Sequence, residues 1–490
     1  MWVASEQQME AMACSVLVVA APLLASLLLH LYFKWWSSGP YKAKGRLPPG
    51  SRGLPVLGET LEFFRQSPSL ELHPFFRRRL ERYGPIFTTN LIHEDLVVSL
   101  DSELNNLVFQ QDEKLFENWW PESVMRIIGA ESIIPTMGSF HKHAKTLILR
   151  LFGPENLRQV LLHDVQRTAH ASLLSWLNQP SIELKEATSS MIFSVTAKKL
   201  ISYDSSNSDG KLWKHFDAFL QGLLAFPLYI PGTAFYKCMQ GRKEVMKILN
   251  KLLDERKKAA RQERVDFIDL LIDVLTEEKP AMSENFALNL IFLLLFAGFE
   301  TTSSGITAAV KFLTDNPKVL QELTDEHDNI RKRRASPDSE ITWEEYKSMK
   351  FTSYVIHESL RLANIAPVLF KRAREDVHIK GYTIPEGSKV MVCPSAVHLN
   401  PTIYKDPEAF NPWRWKDTVE PLGGASKNFM AFGGGLRLCV GADFAKLQMA
   451  VFLHYLVTKY RWKAIKGGSV VFSPGLRFPD GFHIQLFPKT

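Results

Sequence analysis

Cysteine is scarce: the 490-residue chain holds four, Cys14, Cys238, Cys393 and Cys439, and no two stand in C-x-x-C spacing. That excludes a disulfide-rich framework and fits a reducing, cytosolic environment. Internal repeats, low-complexity segments and long Gly/Ser linkers are missing too, so nothing divides the body into separate domains despite its length. No G-x-G-x-x-G fingerprint occurs at a strand-to-helix turn, which leaves the chain without a nucleotide site of that kind. A net charge of +7 stands beside no recognised nucleic-acid motif. Nucleic acid is therefore excluded as a partner, and the basic balance suits an anionic membrane surface or an acidic protein.

What is present is globular in composition, 46% hydrophobic and 23% charged, and long enough to bury a core around a cofactor. Ala11 to Phe33 carries no formally charged side chain, and at helical rise these 23 residues span a bilayer core of about 30 Å. Lys34, Lys42, Lys44 and Arg46 follow it while Glu6 and Glu10 precede it, which places the body on the cytosolic face with Trp35 and Trp36 at the interface. A cleaved signal would carry its positive charge before the apolar run, so a retained anchor is the reading preferred here. Residues 1–46 then form anchor and basic flank, and 47–490 one catalytic body entered through Leu47-Pro48-Pro49-Gly50, read as a stiff hinge.

The body reads as mainly helical with a minor sheet, its strand-like runs including Ile86–Leu91, Leu96–Leu100 and Val390–Val392. Ser283 is the predicted N-cap of an all-round apolar helix running to about Thr314 through the interior. Inside it, Ala297-Gly298-Phe299-Glu300-Thr301-Thr302 places a carboxylate and hydroxyls where the pattern asks for aliphatics. A Thr hydroxyl bonding a backbone carbonyl is expected to kink the helix, and Gly298 to leave room above a planar ligand. Such a pair suits proton delivery, with Thr301 as donor and Glu300 as its supply. The polar run Arg331 to Glu340 is read as a surface loop.

Near the end stands Phe432-Gly433-Gly434-Gly435-Leu436-Arg437-Leu438-Cys439-Val440-Gly441, a glycine-loosened loop that delivers one cysteine to the start of a long apolar helix. Backbone N–H groups and the helix dipole favour a thiolate there, the glycines admit a flat cofactor, and Arg437 reaches a propionate. Cys439 is thus the predicted axial ligand of haem iron. Glu358 and Arg361 lie at i, i+3 on a helix with apolar neighbours, where a buried pair needs further hydrogen bonds, and Arg414 is the candidate third member.

The F-x-x-G-x-R-x-C-x-G loop, the A-G-x-[DE]-T helix, the E-x-x-R pair and the aromatic-Pro-x-Arg segment around Arg414 occur in the order of the cytochrome P-450 superfamily, which the chain resembles over its whole length. Phe226-Pro227-Leu228, Ile384-Pro385-Glu386-Gly387 and Phe410 to Trp415 resemble the plant branch that oxidises brassinosteroids, sterols and triterpenoids. Within that branch the group with triterpenoid oxidases and sterol side-chain-cleaving enzymes is the most similar. The resemblance implies the P-450 fold with an N-terminal transmembrane helix. It also implies haem b bound by Cys439 with Phe432, Gly433, Ala297 and Gly298 around it, and NADPH- and O2-dependent monooxygenation. NADPH and flavins then enter only through a partner NADPH–cytochrome P-450 reductase, docking near Lys142, Lys145, Arg150 and Lys446, and the location is the endoplasmic reticulum membrane. By family position, His141, Lys145 and Lys371 are further propionate candidates, and Phe116, Trp119, Trp120, Met125, Phe226, Leu294, Val368 and Leu369 the substrate walls. Ala431 and Val440 depart from the prolines usual beside the loop. Open rivals are a diterpenoid hormone oxidase, a haem-thiolate isomerase or lyase needing neither Thr301 nor reductase, a non-catalytic membrane-anchored haem protein, and a structural helical protein without cofactor.

Overall fold

Alternating apolar and β-branched residues put Ile86–Leu91 (β1) and Glu94–Ser99 (β2) into an antiparallel hairpin. The computed structural model describes residues 45–489 apart from 56, 205–211, 217–218, 220–221, 224–225, 260–265, 337, 417–425 and 474, with a few isolated positions before residue 34. The predicted anchor therefore lies almost wholly outside the described residues. Its exit does not: Thr88 N–H of β1 donates to Pro49 O and Thr383 N–H to Arg46 O, each at 2.8 Å, so the Pro-rich entry is hydrogen-bonded to the body at both places.

Asp101 caps Ser102–Gln110 (α1) by accepting from Leu104 N–H, and the chain then forms Phe116–Asn118 (β3), the short helix Glu122–Ile128 (α2) and Gly138–Phe152 (α3). Ile182–Glu183 (β4) precedes Leu184–Ile201 (α4), and Ala234–Lys258 (α5) follows. Glu284–Asp315 (α6) starts where the sequence placed its cap: Ser283 Oγ accepts from Phe286 N–H at 3.0 Å. This helix is apolar and long enough to cross a membrane, but most of it is buried against α4, α5 and the helices after it. Pro317–Lys332 (α7) absorbs Arg331 and Lys332 from the predicted loop, because cations end a helix favourably. Lys350–Ala363 (α8), Leu369–Ala373 (β5), Lys389–Val392 (β6), Ala442–Lys459 (α9), Tyr460–Gly467 (β7) and Phe482–Pro488 (β8) complete the frame of the site.

The larger sheet runs β1-β2-β6-β5-β3, with only β2 and β6 parallel, and a smaller one runs β4-β8-β7. In the β3–β5 ladder Asn118 stands opposite Lys371, which brings two polar side chains to the rim of the interior cavity.

Candidate active site

Ala297, Thr301 and Cys439 keep accessible surface although they lie deep in the fold. All three open onto one cavity of about 460 Å³. One wall is the cysteine loop with Phe432, Gly433, Gly434 and Arg437, and another is α6 with Leu294, Ala297, Gly298, Thr301 and Thr302. Trp120, Ile365, Ala366, Leu369, Phe370 and Lys371 also contribute to its lining.

The loop is closed by Cys439 N–H donating to Phe432 O at 3.0 Å and Leu438 N–H to Gly435 O at 3.2 Å. Gly433 and Gly435 hold φ +72° and +63°, which side chains resist. The glycines serve packing as much as the cofactor: a Cβ on Gly434 would stand 2.9 Å from the Phe109 ring of α1, and one on Gly435 would collide with the Phe109 carbonyl. Enclosure pushes the Cys439 thiol above its ordinary value, against a backbone N–H from Gly441 and the charge of Lys145. Burial of the loop therefore works against the thiolate that its sequence favours. A metal ion coordinated by Cys439 would supply the positive charge that holds the sulfur as a thiolate.

A cofactor of the predicted kind fits this cavity on three observations. The sulfur is enclosed by protein yet open to interior space. The facing helix presents Ala297, Gly298 and Thr301 and no bulky side chain at that level. At the polar edge, the buried Arg437 Nε stands 3.4 Å from Asp112 Oδ2 without forming a hydrogen bond, which leaves a guanidinium donor for a further anion such as a propionate. That edge is the part least anticipated. Lys371 Nζ pairs with Asp112 at 2.7 Å, while Arg437 reaches Asp112 at 3.4 Å, Glu113 at 3.2 Å and the Thr136 carbonyl. Asp112 and Glu113 are adjacent acids whose cationic partners lie more than 250 residues away, and only their being a charged pair beside the apolar Leu115-Phe116 could have drawn notice.

His141 and Lys145 do not line the cavity. His141 is buried on α3, its pKa lowered to about 4 by burial and then by Arg437, and Lys145 Nζ donates to Leu436 O at 3.1 Å. Among the predicted substrate residues, Trp120, Leu294 and Leu369 line the cavity and the others do not. Phe116 is fully buried in the core cluster with residues of β5 and β6, and Val368 and Trp119 pack in a second apolar cluster. Met125 projects from α2 and Phe226 sits in the loop before α5, both outside the lining.

On α6 the Thr301 hydroxyl donates to Ala297 O at 2.9 Å, as predicted, yet the helix runs on unbroken to Asp315. The missing Cβ of Gly298 makes room for Thr196 of α4, 2.9 Å from where it would stand, so its smallness serves helix packing as well as the cavity. Glu300 does not stand free beside Thr301. Its Oε2 accepts from Lys185 Nζ of α4 at 2.9 Å, and the same ammonium donates to Ser303 Oγ at 3.0 Å and Ser189 Oγ at 3.1 Å.

The predicted lock behind the loop is complete. The Glu358 carboxylate, fully buried, accepts from Arg361 Nε (2.9 Å) and Nη2 (2.8 Å), Arg414 Nε (3.0 Å), Asn411 N–H (3.0 Å) and Trp415 Nε1 (2.9 Å). Arg361 also donates to His398 O at 2.6 Å and Pro407 O at 2.7 Å. His398 carries the connection onward: its Nε2 accepts from Met430 N–H at 2.9 Å, so its Nδ1 holds the proton and donates to Asn364 Oδ1 at 2.7 Å. Met430 O accepts from Gly433 N–H at 3.0 Å, which joins α8 to the cysteine loop.

Comparison with known proteins agrees with this arrangement. The chain is 54% identical, over 98% of its length and 94% of that protein, to cytochrome P450 87A3 of Oryza sativa subsp. japonica. It is 40% identical, over 97% of its length and 99% of that protein, to cucurbitadienol 11-hydroxylase of Siraitia grosvenorii. It is 38% identical, over 96% of its length and 99% of that protein, to beta-amyrin 16-alpha-hydroxylase of Maesa lanceolata. Among solved structures, retinoic acid bound cyanobacterial CYP120A1 superimposes with a TM-score of 0.80 at 26% identity, over 91% of this chain and 100% of that one. The family profile Cytochrome P450 matches residues 48–478, and the chain belongs to that family.

Proposed function

We propose that this protein is a membrane-anchored haem-thiolate monooxygenase that hydroxylates a sterol or triterpenoid, with electrons drawn from NADPH through a reductase. The observation that carries the reading is the cavity in which Cys439 and Thr301 share one enclosed, mainly apolar space. Bound there, haem supplies dioxygen activation, so that one oxygen atom enters a C–H bond and the other leaves as water.

The chain's own residues hold, orient and deliver. Cys439 ligates the iron through its sulfur, and Arg437 and Lys371 at the cavity edge hold the propionates, with Asp112 and Glu113 fixing where those cations stand. The Thr301 hydroxyl gives its proton to Ala297 O, which leaves its oxygen lone pairs facing the cavity to accept from a water and relay. Glu300 replenishes that relay from the α4 side, its carboxylate held by the Lys185 ammonium that stands between it and solvent. Trp120, Ile365, Leu369 and Phe370 bind a rigid hydrocarbon by shape. The named relatives act on cucurbitadienol and beta-amyrin, and a cholesterol 22-hydroxylase of Paris polyphylla is 36% identical over 97% of this chain, which favours fused-ring substrates over a smaller diterpenoid. The reductase docks on the cysteine side, where Lys142 and Arg150 of α3 are exposed. Ala11 to Phe33 anchors the body in the endoplasmic reticulum membrane with the cavity on the cytosolic side.

Microsomes containing the protein and a plant reductase, given NADPH with cucurbitadienol, beta-amyrin, cholesterol and a panel of diterpenes, test this by product mass. The expected result is a gain of one oxygen atom on a sterol or triterpene. Products from diterpenes alone would overturn the substrate class.

A further inference from the structure

We infer that Arg242 is a specificity-determining positioning residue: it pins the segment between Ile127 and Thr136, and with it the cavity wall at Asn118, to helices α5 and α6. The inference rests on the monooxygenase reading and concerns which carbon the wall presents for attack.

Arg242 projects from the middle of α5 into a half-buried position. Among the described residues its contacts are two carbonyls, an amide and a ring. Nη1 donates to Ile127 O at 2.9 Å and Ile128 O at 3.1 Å, Nη2 donates to Asn289 Oδ1 at 2.5 Å, and the guanidinium lies 4.7 Å from the Phe292 ring centre. Burial works against that charge and lowers its pKa. What compensates is the C-terminus of α2, whose last carbonyls have no partner within the helix and carry the negative end of its dipole. A seven-residue helix is too short to hold its own shape, so this external cap, with the burial of Val124, Ile127 and Ile128, fixes where α2 sits.

The anchoring continues past the helix. Gly129 closes it at φ +110°, and a Cβ there would stand 2.5 Å from Asn289 Oδ1. Asn289 returns a bond from Nδ2 to Glu131 O at 2.9 Å, and Glu131 Oε2 accepts from Ser283 Oγ, the cap of α6, at 2.7 Å. At its far end the segment meets a second guanidinium: Arg437 donates to the carbonyls of Ile133 (3.4 Å), Ile134 (3.5 Å) and Thr136. Asn118, in the cavity wall, is fixed to the same segment by Nδ2 donating to Ile134 O at 2.8 Å. One strap is thus held by Arg242 at the helices above the cavity and by Arg437 two residues before Cys439. A rigid substrate with few polar groups is oriented by wall shape, and a displacement of about 1 Å is enough to bring a different C–H to the reacting position.

The test compares wild type, Arg242→Met, Arg242→Lys and Gly129→Ala in reductase-containing microsomes with cucurbitadienol, beta-amyrin and cholesterol. Product isomers, KM and the reduced carbon-monoxide spectrum are read. Arg242→Met should keep the spectrum, raise KM about tenfold, the scale of one lost charge-assisted bond, and yield a mixture of positional isomers. Arg242→Lys should restore part of the selectivity, as a point charge without the fork. Gly129→Ala should reproduce the mixture with Arg242 intact. Unchanged isomer ratios and KM in all variants would overturn the inference, as would a loss of product that only tracks the loss of spectrally intact protein. If wild type converts none of the three substrates, the substrate reading fails instead. Hydrogen exchange over residues 122–136 then decides: faster exchange in Arg242→Met supports the strap, and equal exchange refutes it.

Discussion

Lys185 shows how a single side chain can govern chemistry it never touches. With 25% of its side chain exposed against 13% for Glu300, it stands between solvent and the carboxylate that backs Thr301. Lys185→Met should therefore leave KM unchanged while product formed per NADPH falls on the order of tenfold, less than the hundredfold or more that a fully removed proton donor costs. Peroxide release should rise in step. Thr301→Ala should show the same uncoupling more strongly, because it deletes the hydroxyl at the cavity itself. Peroxide, NADPH and product measured together would check both, and full coupling in both variants would remove Glu300 and Thr301 from the proposed relay. Thr301 and Glu300 were legible because polar groups interrupt an apolar helix. Lys185 was not, since it meets Glu300 across 115 residues of chain.

Elements reach the cavity by being locked together, and α8 is the clearest case. Glu358 and Arg361 were readable from i, i+3 spacing beside apolar neighbours, and Arg414 from its aromatic-Pro setting. The Asn411, Trp415 and His398 bonds that complete the lock depend on tertiary packing no local pattern encodes. Glu358→Gln leaves two guanidiniums around a neutral amide at a fully buried site, and should cost about 3–5 kcal/mol. The exposed Lys251–Glu255 pair gives the contrast: Glu255→Gln should change stability by no more than about 0.5 kcal/mol. Urea midpoints of the two variants would measure the difference, and similar small shifts would mean that the α8 lock does not hold the loop. The glycines of the cysteine loop make the same point about legibility. Their presence was evident, but their packing on Phe109 needed α1 in place.

For the molecule as a whole, His327, His398 and His454 contribute to the response to acid, together with His73 and His141, whose pKa values burial also lowers. Burial lowers His327 and His398 to about 3 and holds His454 well below its usual value. Bond partners agree with neutral rings: His454 Nδ1 donates to His327 Nδ1 (3.0 Å), His327 Nε2 to Thr352 Oγ1 (3.0 Å), and Thr352 to Glu326 (2.5 Å). The unfolded chain takes up protons near pH 6.5 that the folded chain refuses, so stability falls as pH drops from about 6.5 toward 3 and is level with respect to these groups above 6.5. Urea titrations across that range check the slope, and His398→Asn should flatten it in part. A profile flat from pH 7 to 4 would contradict the assignment. Helical class, minor sheet and the order of functional motifs were readable over the whole chain. The counter-charges at Asp112 and Glu113, and the cavity wall itself, were not, because both arise where distant segments meet. The most direct test of the account is the reduced carbon-monoxide spectrum of wild type and Cys439→Ser in microsomes, taken with turnover in the same preparations. A thiolate-type band and product in wild type, with both lost in Cys439→Ser, is the predicted result. A variant that keeps the wild-type band and turnover would contradict it.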